Sequence, residues 1–311
     1  MTGAEPLTWS TEQRNPATTD LDTLSTSDLV ARIVEADRVV VPAVEAVADR
    51  IAAAVELAVT AIANGGRVHY VGAGTSGRLG VLDAVELFPT YHVGSDVFTA
   101  HLAGGEEAMM RAVEGAEDDP EAGAAAIAGA GEHDMVVGIA ASGRTPYVRG
   151  ALAAARDKRL PTVLVSSNVH APLADLADVA ILPDTGPEVV TGSTRMKAAT
   201  AQKLVLNTFS TATMVRLGKT WSNLMINVQA TNLKLERRLV HIVEQATHLD
   251  AEGSRQVLAA ADGDLRVALV VGLSGAEVEA ARAALAGFAP DPTRTHDPAG
   301  IRSAVALLAA G

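Results

Sequence analysis

Between Val55 and Gly218, short apolar runs alternate with helical stretches, and this alternation limits the fold more than any other feature. The runs are Val68–Val71, Val97–Ala100, Met135–Ile139, Thr162–Val165 and Val179–Leu182. Between them Leu79–Leu87, Ala108–Ala116, Pro146–Lys158 and Ala171–Leu176 read as helices. Strands separated by helices pair in parallel, and a parallel sheet is covered on both faces. A longer helix is expected from near Thr194 to about Leu217. The predicted class is therefore α/β, with a parallel sheet sandwiched by helices.

The flanks differ. Residues 1–54 form a polar opening and then a helical arm. Ser25 or Ser27 is placed to cap a helix with Leu29, Ile33 and Val34 on one face. A second helix is expected through Val44, Val47 and Ile51 to Ile62, ending at Asn64-Gly65-Gly66 with a left-handed residue. Residues 219–311 read as a helical region, with short helices over Asp250–Ala286, an ambiguous run at Val267–Leu273, and a Pro- and Asp-rich tail from Gly287 to Gly300. The expected domains are thus 1–54, 55–218 and 219–311.

Composition narrows the function. The chain has 311 residues and is 48% hydrophobic, enough for a full core. It has no cysteine, which excludes disulfides, thiol catalysis and thiolate zinc sites and suits a reducing cytosol. Met1–Pro6 shows neither the basic nor the apolar part of a secretory signal. No apolar run reaches the roughly 18–20 residues that span a bilayer. A cytoplasmic location is expected. The net charge of −12 repels nucleic acid and anionic membranes. An anionic ligand must then be held by a local feature, such as backbone amides in a glycine loop.

Two strand ends offer that feature, where ligands of open parallel sheets bind. The first is Gly72-Ala73-Gly74-Thr75-Ser76-Gly77-Arg78. The second is Ala140-Ala141-Ser142-Gly143-Arg144-Thr145-Pro146. Both combine glycines, hydroxyls and a helix start just downstream. The first loop formally matches G-x-G-x-x-G, a weak signal by itself. A dinucleotide site also wants an acid after the second strand, where His101-Leu102-Ala103-Gly104-Gly105 has none. Paired hydroxyls favour a phosphate monoester, such as a sugar phosphate, over a dinucleotide or purely structural turns.

Carboxylates and bases complete the candidates. Glu86 lies on the helix after the first loop, among Leu82, Val85, Leu87 and Phe88. An ordinary surface glutamate is the plain alternative, but desolvation there would make a usable general acid. Glu114-Gly115-Ala116-Glu117-Asp118-Asp119 carries four acids, and spacing does not choose among them. Glu188, followed by Thr191-Gly192-Ser193-Thr194-Arg195-Met196-Lys197, forms a third motif. Ser193 or Thr194 is placed to cap the long helix. Arg195 and Lys197 oppose its dipole and point to an anion or carboxylate partner. The histidines are scattered without metal-ligand spacing, so no metal site is expected.

At these residues the sequence resembles the bacterial N-acetylmuramic acid 6-phosphate etherases of the sugar isomerase (SIS) superfamily. The resemblance runs through Thr11-Glu12-Gln13-Arg14-Asn15-Pro16, Gly72–Gly80, Pro89-Thr90-Tyr91, Ala103–Glu106, Val113–Asp118, Gly138–Tyr147, Glu188–Lys203, Ala230-Thr231-Asn232 and Lys234. It implies a SIS domain with a five-stranded parallel sheet, N-terminal helices and a small C-terminal helical region. It implies cleavage of the lactyl ether of N-acetylmuramic acid 6-phosphate by elimination and hydration. The products would be N-acetylglucosamine 6-phosphate and D-lactate, made without metal or organic cofactor in cell-wall sugar recycling. By the family pattern Glu86 is the acid and Glu117 the base. Ser76, Ser142, Gly143 and Thr145 would hold the phosphate, with Arg144 helping, and Gly74, Thr75, Glu188 and Ser193 would lie against substrate. A homodimer is implied.

The sequence departs from the family at Val85, Leu87, Phe88 and Ala199, and in the tail from Gly287. Two other readings share the superfamily: a non-catalytic sugar-phosphate effector module like glucokinase regulatory protein, and an aldose–ketose isomerase. The presence of both Glu86 and Glu117 argues against the first, and the N-terminal block against the second.

Overall fold

The computed structural model describes residues 9–228 and 233–310. Met1–Pro6 and Ala230-Thr231-Asn232 lie outside the described residues, as does the Lys234 side chain. The chain divides into two compact units. One takes in residues up to Val85 together with Ser95–Ser210, the other Glu86–Gly94 with Thr211 onward.

The first unit begins with short 3-10 turns and then helices α1 (Thr26–Asp37), α2 (Val40–Glu45) and α3 (Ala48–Ala63). Ser25 is the cap of α1, its hydroxyl accepting from the Asp28 amide. Of the expected apolar face of α1, Leu29 and Ile33 are half-buried and Val34 is 58% exposed. The second predicted helix is broken, with Val47 leaving helical geometry between α2 and α3. Its end is as expected. Gly65 takes φ +82, and the amides of Gly66 and Gly65 reach back to Ala61 and Ile62, the double bond of a Schellman cap.

A five-stranded sheet follows: β1 (Val68–Gly72), β2 (Phe98–Leu102), β3 (Met135–Ile139), β4 (Thr162–Val165) and β5 (Val179–Ile181). Their order is β2-β1-β3-β4-β5 and all neighbours are parallel. The edge strand β2 sits later in sequence than its apolar run suggested. Helix α4 (Gly74–Tyr91) leaves β1 directly. Next come α5 (Glu107–Met110), α6 (Pro120–Ala126), α7 (Pro146–Asp157) and α8 (Lys197–Arg216). One face of the sheet packs Val71, Val136 and Leu164 against Ile127, Val148, Ala151 and Leu152. On the other face Tyr70, Phe98 and Phe209 meet ring to ring. There Asp83 is buried and accepts from the Tyr70 hydroxyl, the Asn207 amide and the Ser210 hydroxyl. A buried carboxylate with three donors ties α4 and α8 to β1.

Two helical expectations fail here. Ala108–Ala116 is not one helix: Arg111 is extended, and Gly115 at φ +75 starts a 3-10 turn over Ala116–Asp118. Ala171–Leu176 forms only a 3-10 turn from Pro172.

His69 on β1 bridges His101 and Asp134, at 2.9 Å on each side. Burial lowers both histidines, His101 to about 4, with His69 adding to its shift. An unfolded histidine titrates near 6.5. The pair therefore contributes stability above that pH, and the contribution is lost as pH falls from 6.5 toward 4. Burial raises the Asp83 and Glu188 carboxyls, which act in the opposite sense. Comparison with His101→Gln isolates the histidine effect: the melting temperature of the variant should fall less than that of the parent between pH 6.5 and 4. Parallel curves would refute this.

The second unit holds a two-stranded antiparallel hairpin, β6 (Thr220–Trp221) with β7 (Leu224–Met225), absent from the sequence expectation. Helices α9 (Leu233–Ala246), α10 (Ala251–Ala260), α11 (Leu265–Ser274), α12 (Val278–Gly287) and α13 (Ile301–Ala310) surround a core of Leu239, Val243, Leu258, Leu269, Ala281 and Ile301. The ambiguous Val267–Leu273 run is helix α11, capped by Asp264 and closed by Gly275 at φ +70.

Candidate active site

At the end of β1 the chain turns into α4 within two residues, so the helix N-terminus faces the strand end. The first amides of a helix lack intrahelical acceptors, and the dipole favours an anion there. The turn requires glycine twice. A Cβ on Gly77 would lie 2.5 Å from the Gly72 oxygen, and one on Gly72 would lie 2.8 Å from Gly77 Cα. Thr75 is half-buried, and Ser76 is buried with its hydroxyl donating to Gln202 Oε1 at 2.9 Å.

The second loop runs from Ala140 to Thr145 at the end of β3. Gly143 has φ +67, and a Cβ there would meet the Ala171 Cβ at 2.2 Å. Thr145 precedes α7 without a side-chain capping bond, and Pro146 opens the helix. Asn168 donates to the Ser142 carbonyl, and Ser166 donates to the Ala141 carbonyl. These buried residues at the end of β4 brace the loop, and the sequence analysis did not single them out. The Arg144 guanidinium stacks on Trp9, 3.9 Å from the ring centroid.

Between the first loop and the acidic segment lies a cavity of about 170 Å³, lined by Gly74, Arg78, Val113, Glu114 and Glu117 among others. Arg78 explains the juxtaposition. Its guanidinium donates to the carbonyls of Ala108, Met109 and Arg111, drawing the end of α5 onto the loop. Of the acids that spacing could not separate, Glu114 and Glu117 line this cavity. Glu86 lies on α4, exposed, twelve residues beyond Gly74.

Glu188 has a different setting. It is fully buried, and its two oxygens accept from the amides of Lys197 and Ala198, each at 3.0 Å. It caps α8, in place of the expected Ser193 or Thr194. Burial raises its carboxyl, opposed by those two bonds and by the Lys197 charge. Lys197 donates through Nζ to the Thr185 carbonyl, and the Glu188 charge favours its ammonium form against the burial that lowers its pKa. Ser193 sits in the preceding turn, half-buried. The opening segment is tied to the same region: Asn15 donates to the Pro187 carbonyl and Thr18 to that of Val189.

The sheet order β2-β1-β3-β4-β5 is that of a doubly wound α/β domain, which takes its ligand at the carboxyl ends of the strands. The family model for the glucokinase regulatory protein N-terminal SIS domain matches residues 50–156. A solved phosphoheptose isomerase from Francisella tularensis overlaps 61% of this chain and 98% of its own at 18% identity, with a TM-score of 0.47. The N-acetylmuramic acid 6-phosphate etherase of Brucella anthropi is 49% identical over 276 residues, covering 88% of this chain and 90% of that one. That of Thermobifida fusca is 52% identical over 261 residues, covering 84% and 86%. The chain belongs to the N-acetylmuramic acid 6-phosphate etherase family.

Proposed function

We propose that this protein cleaves the D-lactyl ether of N-acetylmuramic acid 6-phosphate, releasing D-lactate and N-acetylglucosamine 6-phosphate in amino sugar recycling. The observation that carries this reading is half-identity to etherases over nearly nine-tenths of the chain. The phosphate is held by the loops at Gly74–Ser76 and Ser142–Thr145, with Arg144 at the rim. In the open-chain sugar, Glu117 takes the C2 proton, which the adjacent aldehyde acidifies. Glu86 protonates the ether oxygen on C3 as the C3–O bond breaks, leaving a C2=C3 double bond and free lactate. Water then adds to C3 and a proton returns to C2. The cavity joining Glu117 to the first loop supports its role as base.

The sites are shared between two copies in a homodimer. Ten residues of helix separate Ser76 from Glu86, a rise of about 15 Å. A hexose phosphate reaches only roughly 6 Å from phosphorus to C3 at about 1.3 Å per bond. The acid serving a given loop is assigned to a second chain. Leu82, Val85 and Phe88 beside Glu86 are 50%, 63% and 53% exposed, an apolar stripe that a second copy would cover. A cytoplasmic setting agrees with a sugar phosphate as substrate, and no helix of the described residues is long and apolar enough to cross a membrane. The test is enzymatic: purified protein should release lactate from N-acetylmuramic acid 6-phosphate without added metal. No release, beside an active control etherase, would overturn the assignment.

A further inference from the structure

Ser76 carries one proton, and a phosphate dianion carries none to offer. As arranged in this structure the proton is spent inward. Ser76 donates to Gln202 Oε1, while Gln202 Nε2 is buried with no hydrogen-bond partner among the described residues. Gln202 is 1% exposed and Ser76 is 7% exposed. A hydroxyl held this way turns lone pairs toward the ligand, which repels a phosphate oxygen. The amide of glutamine has nearly the same shape either way round. Turned over, one Nε2 proton is donated to Ser76 Oγ, Oε1 takes the partnerless place, and the Ser76 proton is released outward.

We infer that Gln202 is a positioning residue that sets the polarity of the Ser76 hydroxyl, its amide turning over when a phosphate monoester binds. The inference rests on the reading of Ser76 as a phosphate donor. Without ligand the two amide orientations each make one bond to Ser76. With a dianion present, only the turned amide leaves Ser76 a proton for a charge-assisted bond, roughly twice as strong as a neutral one. The ligand thus selects the turned state. Gln202 sits one turn into α8. The Glu188 bonds to the first amides of that helix fix its start, so the amide turns without the helix moving.

The test is a double-mutant cycle with Ser76→Ala and Gln202→Met, read by calorimetric binding of N-acetylglucosamine 6-phosphate. Gln202→Met should weaken binding about 2- to 10-fold in the parent, the scale of one neutral hydrogen bond, and less than 2-fold in the Ser76→Ala background. It should raise KM with little change in kcat, because phosphate contacts are alike in substrate and transition state. Gln202→Glu, of equal size and unable to donate when ionised, should cost more than Gln202→Met in the parent. That excess should shrink in the Ser76→Ala background. Equal losses in both backgrounds, or a fall in kcat alone, would overturn the inference. If Ser76→Ala itself leaves affinity unchanged, the phosphate assignment of that loop falls instead.

Discussion

Replacing Glu117 by glutamine should lower kcat for lactate release by about 10²- to 10⁴-fold, the usual worth of a general acid or base. Replacing Glu86 should do the same, yet the two variants should differ in one respect. In deuterated water, the Glu86→Gln enzyme should still exchange the C2 proton of the substrate, since its base is intact. The Glu117→Gln enzyme should not. Both should bind N-acetylglucosamine 6-phosphate within about threefold of the parent, because neither carboxylate is placed on the phosphate. Exchange retained in Glu117→Gln and lost in Glu86→Gln would reverse the roles. Unchanged turnover in either variant would remove that residue from the chemistry.

The second large effect is a gain. The Glu86→Gln and Glu117→Gln proteins, each inactive, should recover activity when co-refolded. With random pairing about half the dimers are mixed, and each mixed dimer has one site with both carboxylates intact. The mixture should therefore reach about a quarter of parental activity. If both carboxylates came from one chain, every site in the mixed dimer would be damaged and nothing would be regained. This outcome rests on the proposed dimer and on the assignment of Glu86 to the partner chain.

The sheet is legible in the sequence because parallel strands buried on both faces read as unbroken apolar runs, and Met135–Ile139 and Thr162–Val165 match β3 and β4 residue for residue. The two loops are legible because glycine and hydroxyl residues directly follow the runs Val68–Val71 and Met135–Ile139. Local pattern fails where a contact comes from far along the chain. Glu188 caps α8 from nine residues upstream, displacing Ser193 and Thr194, which had the right composition but not the right position. Gln202 meets Ser76 across 126 positions, and no periodicity signals such a pair. Ala108–Ala116 has helical composition, but Arg78 takes up the carbonyls near its start and Gly115 turns left-handed. Tertiary hydrogen bonds there outweigh a propensity difference of a few tenths of a kcal/mol per residue.

The Glu188 cap has a bearing on selectivity. Helices α4, α7 and α8 of the sheet domain each start with amides that attract an anion. In α8 the protein supplies that anion itself, covalently and permanently, in a place no solute can reach. Of these helices, α7 starts without a side-chain cap, while α8 is closed by Glu188. A ligand with one phosphate therefore has fewer competing seats, and the sugar it carries is presented in a defined direction. The buried carboxylate works like a plug in an unused socket: it narrows the ways of binding without touching the substrate.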